Sequence, residues 1–99
     1  MRSYELMYIL RPDLGGEEEL NAQIERVQGY IQDQGGRVAD VEHSSPWGRR
    51  RMAYEIDGQQ EGYYVLTHFE MDPARCVELE RNLKITEPVI RYLLIRTNE

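Results

Sequence analysis

The 99-residue chain has a single cysteine, Cys76, so it cannot form an internal disulfide, and nothing points to an oxidising compartment. No apolar run approaches the roughly 18 residues that a membrane-spanning helix needs, so no membrane association is expected. The opening Met1-Arg2-Ser3-Tyr4-Glu5 has no small-residue cleavage pattern, and a signal peptide is not expected. The two histidines, His43 and His68, form no close-spaced ligand pair, so neither a metal nor a cofactor is expected. Gly15-Gly16 and Gly35-Gly36 lack the flanking residues of a phosphate-binding loop. Cys76 falls on an apolar helical stripe, where cysteine behaves as a small hydrophobe. Glu17-Glu18-Glu19 reads as helix-dipole complementation rather than paired catalytic carboxylates. Neither an enzyme nor a small-molecule substrate is therefore expected. Positive charge is also short: Lys+Arg 12 against Asp+Glu 18 gives a net charge of -6. Taken as an average, that balance argues against a nucleic-acid partner.

The average conceals a segregation. Residues 13–33 carry -5 and residues 70–87 carry -2, which leaves +1 for the rest of the chain. In that remainder every basic residue is an arginine: Arg2, Arg11, Arg37, Arg49, Arg50, Arg51, Arg91 and Arg96. Arginine presents a planar fork of donors suited to phosphate and carboxylate, although it also serves as plain surface charge.

The chain is long enough for one domain, residues 1–99, with a single core. Residues 3–10 alternate as a strand that places Tyr4, Leu6, Tyr8 and Leu10 on one face. From Glu17 the period changes, and Leu20, Ile24, Val27 and Ile31 form an apolar helical stripe that Gly35-Gly36 ends. A second strand starts near Arg37, is interrupted by Ser44-Ser45-Pro46-Trp47-Gly48, and resumes through Met52, Tyr54 and Ile56. Residues 57–62 read as a hairpin connection, and residues 63–70 as a third strand rich in aromatic and β-branched residues. Asp72 and Pro73 open a second helix as N-cap and first helical residue. Glu87-Pro88 closes that helix, and residues 89–96 form a fourth strand ahead of the tail Thr97-Asn98-Glu99. The order βαββαβ predicts an α+β, ferredoxin-like sandwich: a four-stranded antiparallel sheet, order 4-1-3-2, with both helices on one face. The acidic helices then point away from the open side of the sheet.

The densest concentration of chemistry is Trp47-Gly48-Arg49-Arg50-Arg51-Met52-Ala53-Tyr54. Three successive arginines beside aromatics supply phosphate contacts and stacking surface. In a strand Arg49 and Arg51 face one side and Arg50 the other. The same residues also suit an edge strand that uses charge to block edge-to-edge pairing. On the open face, Met7 and Ile9 join strand-4 aliphatics such as Leu93 and Ile95, a possible macromolecular contact surface; scattered surface apolars are the alternative. The third strand has the position of an RNA-recognition-motif signature. Glu61 stands where a basic residue is needed, and Tyr64 and Val65 break the aromatic pattern, so that version is rejected.

Taken together, Arg2-Ser3-Tyr4-Glu5, Leu10-Arg11-Pro12, the run from Trp47 to Ile56, Gly62-Tyr63-Tyr64 and Val89-Ile90-Arg91 resemble the bacterial small-subunit ribosomal protein six family. The resemblance spans essentially the whole chain, with Met52 where leucine is usual in the Gly-x-basic-x-Leu-Ala-Tyr-x-Ile signature. It implies a non-enzymatic, ribosome-associated cytoplasmic protein that binds the central domain of 16S ribosomal RNA. The implied protein partner is small-subunit ribosomal protein eighteen, as a heterodimer. By the same resemblance RNA contacts fall to Arg2, Arg49, Arg51 and Arg91, joined by Arg50, Tyr4 and Tyr54; the partner contacts are expected at the open-face residues Met7, Ile9, Leu93 and Ile95. An acidic protein with a local basic patch binds RNA poorly alone, and a basic co-binder would supply the missing phosphate contacts. Two alternatives stand beside this reading. One is a ferredoxin-like regulatory or self-associating module. The other is an acylphosphatase-like enzyme, for which Arg11-Pro12-Asp13-Leu14-Gly15-Gly16 is a poor phosphate-cradling loop, as Asp13 would repel the anion.

Overall fold

The computed structural model of the protein describes residues 1–44, 47–56 and 58–97. Ser45 and Pro46 of the expected interruption, Asp57 of the hairpin turn, and Asn98 and Glu99 of the tail lie outside the described residues.

Strand β1 (Arg2–Leu10) leads into helix α1 (Glu17–Asp33), followed by β2 (Arg37–Glu42), β3 (Gly48–Ile56) and β4 (Gln59–Met71). A 3-10 turn (Pro73–Arg75), helix α2 (Cys76–Lys84) and β5 (Val89–Arg96) complete the order. The antiparallel sheet runs β2-β4-β1-β5, and β3 also pairs β4. This is the ferredoxin-like α+β class, with one change in strand count. What periodicity reads as one interrupted second strand is two strands laid end to end along the same edge of β4. β2 covers residues 66–70 of β4, and β3 covers the segment nearer its start. To serve both, β4 is 13 residues long, beginning at Gln59. The hairpin connection is therefore shorter than residues 57–62, and Glu61 and Gly62 belong to a ladder.

The core forms where alternation on the strands meets the helical stripes. Tyr4, Leu6, Tyr8 and Leu10 from β1 and Val65, Phe69 and Met71 from β4 pack against Ile24, Val27 and Ile31 of α1 and Leu79 and Leu83 of α2. Each such side chain contributes roughly 1.5–3 kcal/mol on full burial. Cys76 is half-buried at the margin of this cluster. Two hydroxyls are enclosed with it: Tyr8 Oη and Thr67 Oγ1 are buried without a hydrogen-bond partner among the described residues. Burial alone pushes the Tyr8 phenol far up.

The second helix differs from expectation at both ends. Asp72 does cap it, accepting from the Ala74 backbone N–H at 3.0 Å, but the first turn after Pro73 is 3-10. The α-helix ends at Lys84 rather than at Glu87. Thr86 explains the early stop. Its hydroxyl donates to the Asn82 carbonyl at 2.6 Å and lies 2.7 Å from the hydroxyl of Tyr30 on α1, so the segment is pinned to the neighbouring helix.

Candidate nucleic-acid and partner interface

The face of the sheet opposite the helices carries the side chains that could meet a macromolecule. Its rows follow from the register. Glu5, Met7 and Ile9 of β1 lie between His68, Leu66 and Tyr64 of β4 and Ile95, Leu93 and Arg91 of β5. Strand β3 adds Arg50, Met52 and Tyr54, which share a phase with Gly48.

Gly48 makes that placement possible. Its φ is +91°, and a Cβ there would lie 2.7 Å from the His43 carbonyl oxygen, so only glycine enters β3 at this angle. Ahead of it the Trp47 N–H donates to the Ser44 carbonyl at 2.7 Å, and His43 Nδ1 lies 2.9 Å from the Tyr63 hydroxyl. Arg50 then projects onto the open face between two aromatic rings, its guanidinium carbon 5.9 Å from the centroid of Trp47 and 5.1 Å from that of Tyr64.

Arg91 meets Tyr54 in a similar way, with its guanidinium carbon 5.8 Å from the ring centroid. Its Nη1 also donates to the Tyr54 hydroxyl at 3.0 Å. Between these two cation–aromatic groups Met52 is buried close to Ile9 and Gly62. Gly62 is required here by space: a Cβ would collide with Ile9 Cγ2 and come 3.4 Å from Met52 Sδ. A shallow groove of about 360 Å³ runs beside it, lined by Met7, Ile9, Arg91, Tyr92 and Leu93.

The expected site residues fall into four groups. Arg50, Tyr54 and Arg91 share the open face, and exposed Leu93 (57%) and Ile95 (45%) adjoin them with half-buried Met7. Arg49 and Arg51 point to the other side of β3, as alternation requires, where Glu61 stands opposite Arg51 and accepts from Arg49 Nε at 2.7 Å. That carboxylate offsets part of the charge a phosphate would meet. Arg2 is exposed at the opposite end of β1, paired with Met71, seven residues along the strand from the Ile9–Arg91 pair.

Two expectations are corrected. Tyr4 is 6% exposed and its ring stacks on Phe69 at 5.6 Å, so it packs the core and offers no surface to RNA. Ile9 is 8% exposed and lies with Met52 around Gly62, so it forms the floor of the groove and offers a partner little surface of its own.

Trp47 stood within the arginine run that the sequence singles out, but Tyr64, the second ring around Arg50, lies on another strand and was not associated with it. Sequence reasoning also missed a cluster around His68. A ring nitrogen of His68 and a carboxylate oxygen each from Asp40 and Glu42 lie within 4.8 Å of one another. The Asp40 carboxylate lies 2.6 Å from His68 Nδ1, and that of Glu5 lies 3.1 Å from Nε2. Asp40 and Glu42 are near neighbours, but His68 and Glu5 lie 28 and 63 positions from their partners, so no short motif announces the cluster. The hydrogen bond to Asp40 raises the His68 pKa above the ordinary range, partial desolvation opposes it, and Glu5 adds to the rise.

The chain is similar to known proteins over nearly its whole length. A curated relative from Thermoanaerobacter pseudethanolicus, small ribosomal subunit protein bS6, is 52% identical over 99 residues, covering 100% of both chains. The protein of the same name from Moorella thermoacetica is 48% identical over 99 residues, covering 100% of this chain and 97% of its own. The crystal structure of 30S ribosomal protein S6 from Thermotoga maritima superposes with a TM-score of 0.88 at 35% identity, covering 97% of this chain and 87% of that one. The C-terminal domain of the Mycobacterium tuberculosis MgtC protein, at 15% identity and a TM-score of 0.57, shares the fold alone. The family model described as Ribosomal protein S6 matches residues 3–96, and the chain belongs to that family.

Proposed function

We propose that the protein binds the central domain of 16S ribosomal RNA jointly with small-subunit ribosomal protein eighteen. Membership of the ribosomal protein S6 family makes the chain a structural, non-enzymatic constituent of the small subunit. The observation that carries the finer reading is the open face itself. Arg50 lies between Trp47 and Tyr64, and Arg91 lies against Tyr54. Beside them the exposed Leu93 and Ile95 form an apolar strip. Arginine held on aromatic rings suits backbone contact and base stacking, while the apolar strip suits a protein. The acidic first turn of α1, Glu17 to Glu19, belongs to the layer on the other side of the sheet. The net charge of -6 then calls for a basic co-binder to complete the phosphate contacts.

A gel-shift titration of a central-domain RNA fragment, with and without protein eighteen and at two salt concentrations, tests the reading. Tight, salt-sensitive binding is expected only when both proteins are present. Absence of any shift with both proteins at low salt overturns it.

A further inference from the structure

Strand β2 is short and lies on the outer edge of β4, and its register slips between Val38 and Asp40. Val38 stands opposite Phe69, Asp40 opposite His68 and Val41 opposite Thr67. In an unbroken strand Val38 and Val41, three residues apart, would point to opposite faces. The bulge lets both pack against the core and delivers Asp40 to the open face instead.

There Asp40 Oδ1 lies 2.6 Å from His68 Nδ1, Glu5 Oε2 lies 3.1 Å from Nε2, and Glu42 Oε2 lies 3.9 Å from Nδ1. An ionised carboxylate only accepts, and a neutral imidazole donates from one nitrogen only. Both short contacts are therefore satisfied together by the imidazolium and by no neutral tautomer.

We propose that His68, Glu5, Asp40 and Glu42 form a proton-operated clasp that holds edge strand β2 onto β4 and β1. With the proton in place one cation bridges carboxylates from two different strands. Without it, one carboxylate faces a lone pair and three carboxylates crowd together. The surrounding charges do not compensate. Arg37 of β2 is taken by Glu70 of β4 at 2.6 Å, β5 offers the uncharged Ile95 beside Glu5, and the core helices pack on the other side of the sheet.

The sign follows from His68 having its pKa raised in the folded protein. The clasp acts fully below the unfolded value of about 6.5 and is lost as pH rises through the higher folded value. The groups are partly exposed, so the effect on global stability is small and the effect on β2 is the one to measure.

The test is NMR on the intact chain, wild type beside His68→Gln. The imidazole of His68 is titrated directly, and amide exchange at Val38 and Val41 is compared with that at Leu6, corrected for intrinsic rates, at about pH 6 and about pH 8.5. The expected result is a titration midpoint above the ordinary histidine range that falls in Glu5→Gln and in Asp40→Asn. Protection of the β2 amides relative to Leu6 should drop about fivefold on raising the pH in wild type, and should be low at both pH values in His68→Gln. A His68 midpoint at or below the ordinary value overturns the clasp, as does the same pH dependence of β2 protection in both proteins.

Discussion

Arg91 donates to the hydroxyl of Tyr54 at 3.0 Å, although the strands that carry them, β5 and β3, are separated in the sheet by β1 and β4. The contact therefore spans the open face instead of following a ladder. The register of β3 on β4 shifts between Arg51 and Ile56, the stretch that carries Met52 and Tyr54. Ile9 and Met52 are buried on the same face, both close to Gly62.

Replacing Arg91 with alanine should thus separate binding from stability. The side chain is exposed, and its ring contact is worth about 0.5–1 kcal/mol at such a site. A urea melt should shift by no more than that, whereas the shifted RNA complex with protein eighteen should weaken several-fold. Tyr54→Phe keeps the ring beside the cation and should retain most of the binding. An Arg91→Ala protein that binds RNA as wild type would remove Arg91 from the interface.

The fold was legible because three signals carry it: alternation on β1, the stripe from Leu20 to Ile31, and the aromatic and β-branched run from Tyr63. Alternation likewise placed Tyr4 among helix-facing residues, and burial then excludes it from the RNA surface. What escaped sequence reasoning depends on register. Glu61 was read as turn, so its pairing with Arg49 was invisible until β4 was seen to begin at Gln59. The contacts of His68 with Asp40 and Glu5 join residues 28 and 63 positions apart, and one of them depends on a bulge that shows only as a broken alternation.

Gly62→Ala should be a stability variant rather than a binding one. The added methyl would collide with Ile9 Cγ2, in a pocket closed by Met52. Overpacking of that kind costs about 1–3 kcal/mol. Denaturant unfolding should show the midpoint fall by a matching amount with an unchanged slope. Pairing the change with Ile9→Leu, which has no methyl branch at Cβ, should recover part of the loss. A neutral Gly62→Ala would mean that β3 moves aside freely.

Tyr8→Phe should be neutral or stabilising, which is unusual for a fully buried position. The Tyr8 hydroxyl has no hydrogen-bond partner among the described residues, so the folded protein bears its desolvation without return. Removing it leaves the ring in place and should raise the thermal midpoint slightly or leave it unchanged. A loss of about 1 kcal/mol or more would show that the hydroxyl is satisfied in solution.

Glu61→Gln provides the most discriminating test of the arginine run, because its predicted sign is opposite to that of an arginine deletion. Glu61 accepts from Arg49 at 2.7 Å and stands directly across from Arg51, so it reduces the positive charge available on that side of β3. Both partners are exposed, so breaking the pair costs at most about 1 kcal/mol of stability. If Arg49 and Arg51 meet phosphate, neutralising Glu61 should tighten the RNA complex, and by more at low salt than at high salt. Arg49→Ala should weaken it over the same range. If the arginines instead serve only to keep the β3 edge from pairing with other chains, Glu61→Gln should leave RNA affinity unchanged. Gel-shift titrations of both variants with protein eighteen present, at two salt concentrations, separate the two roles.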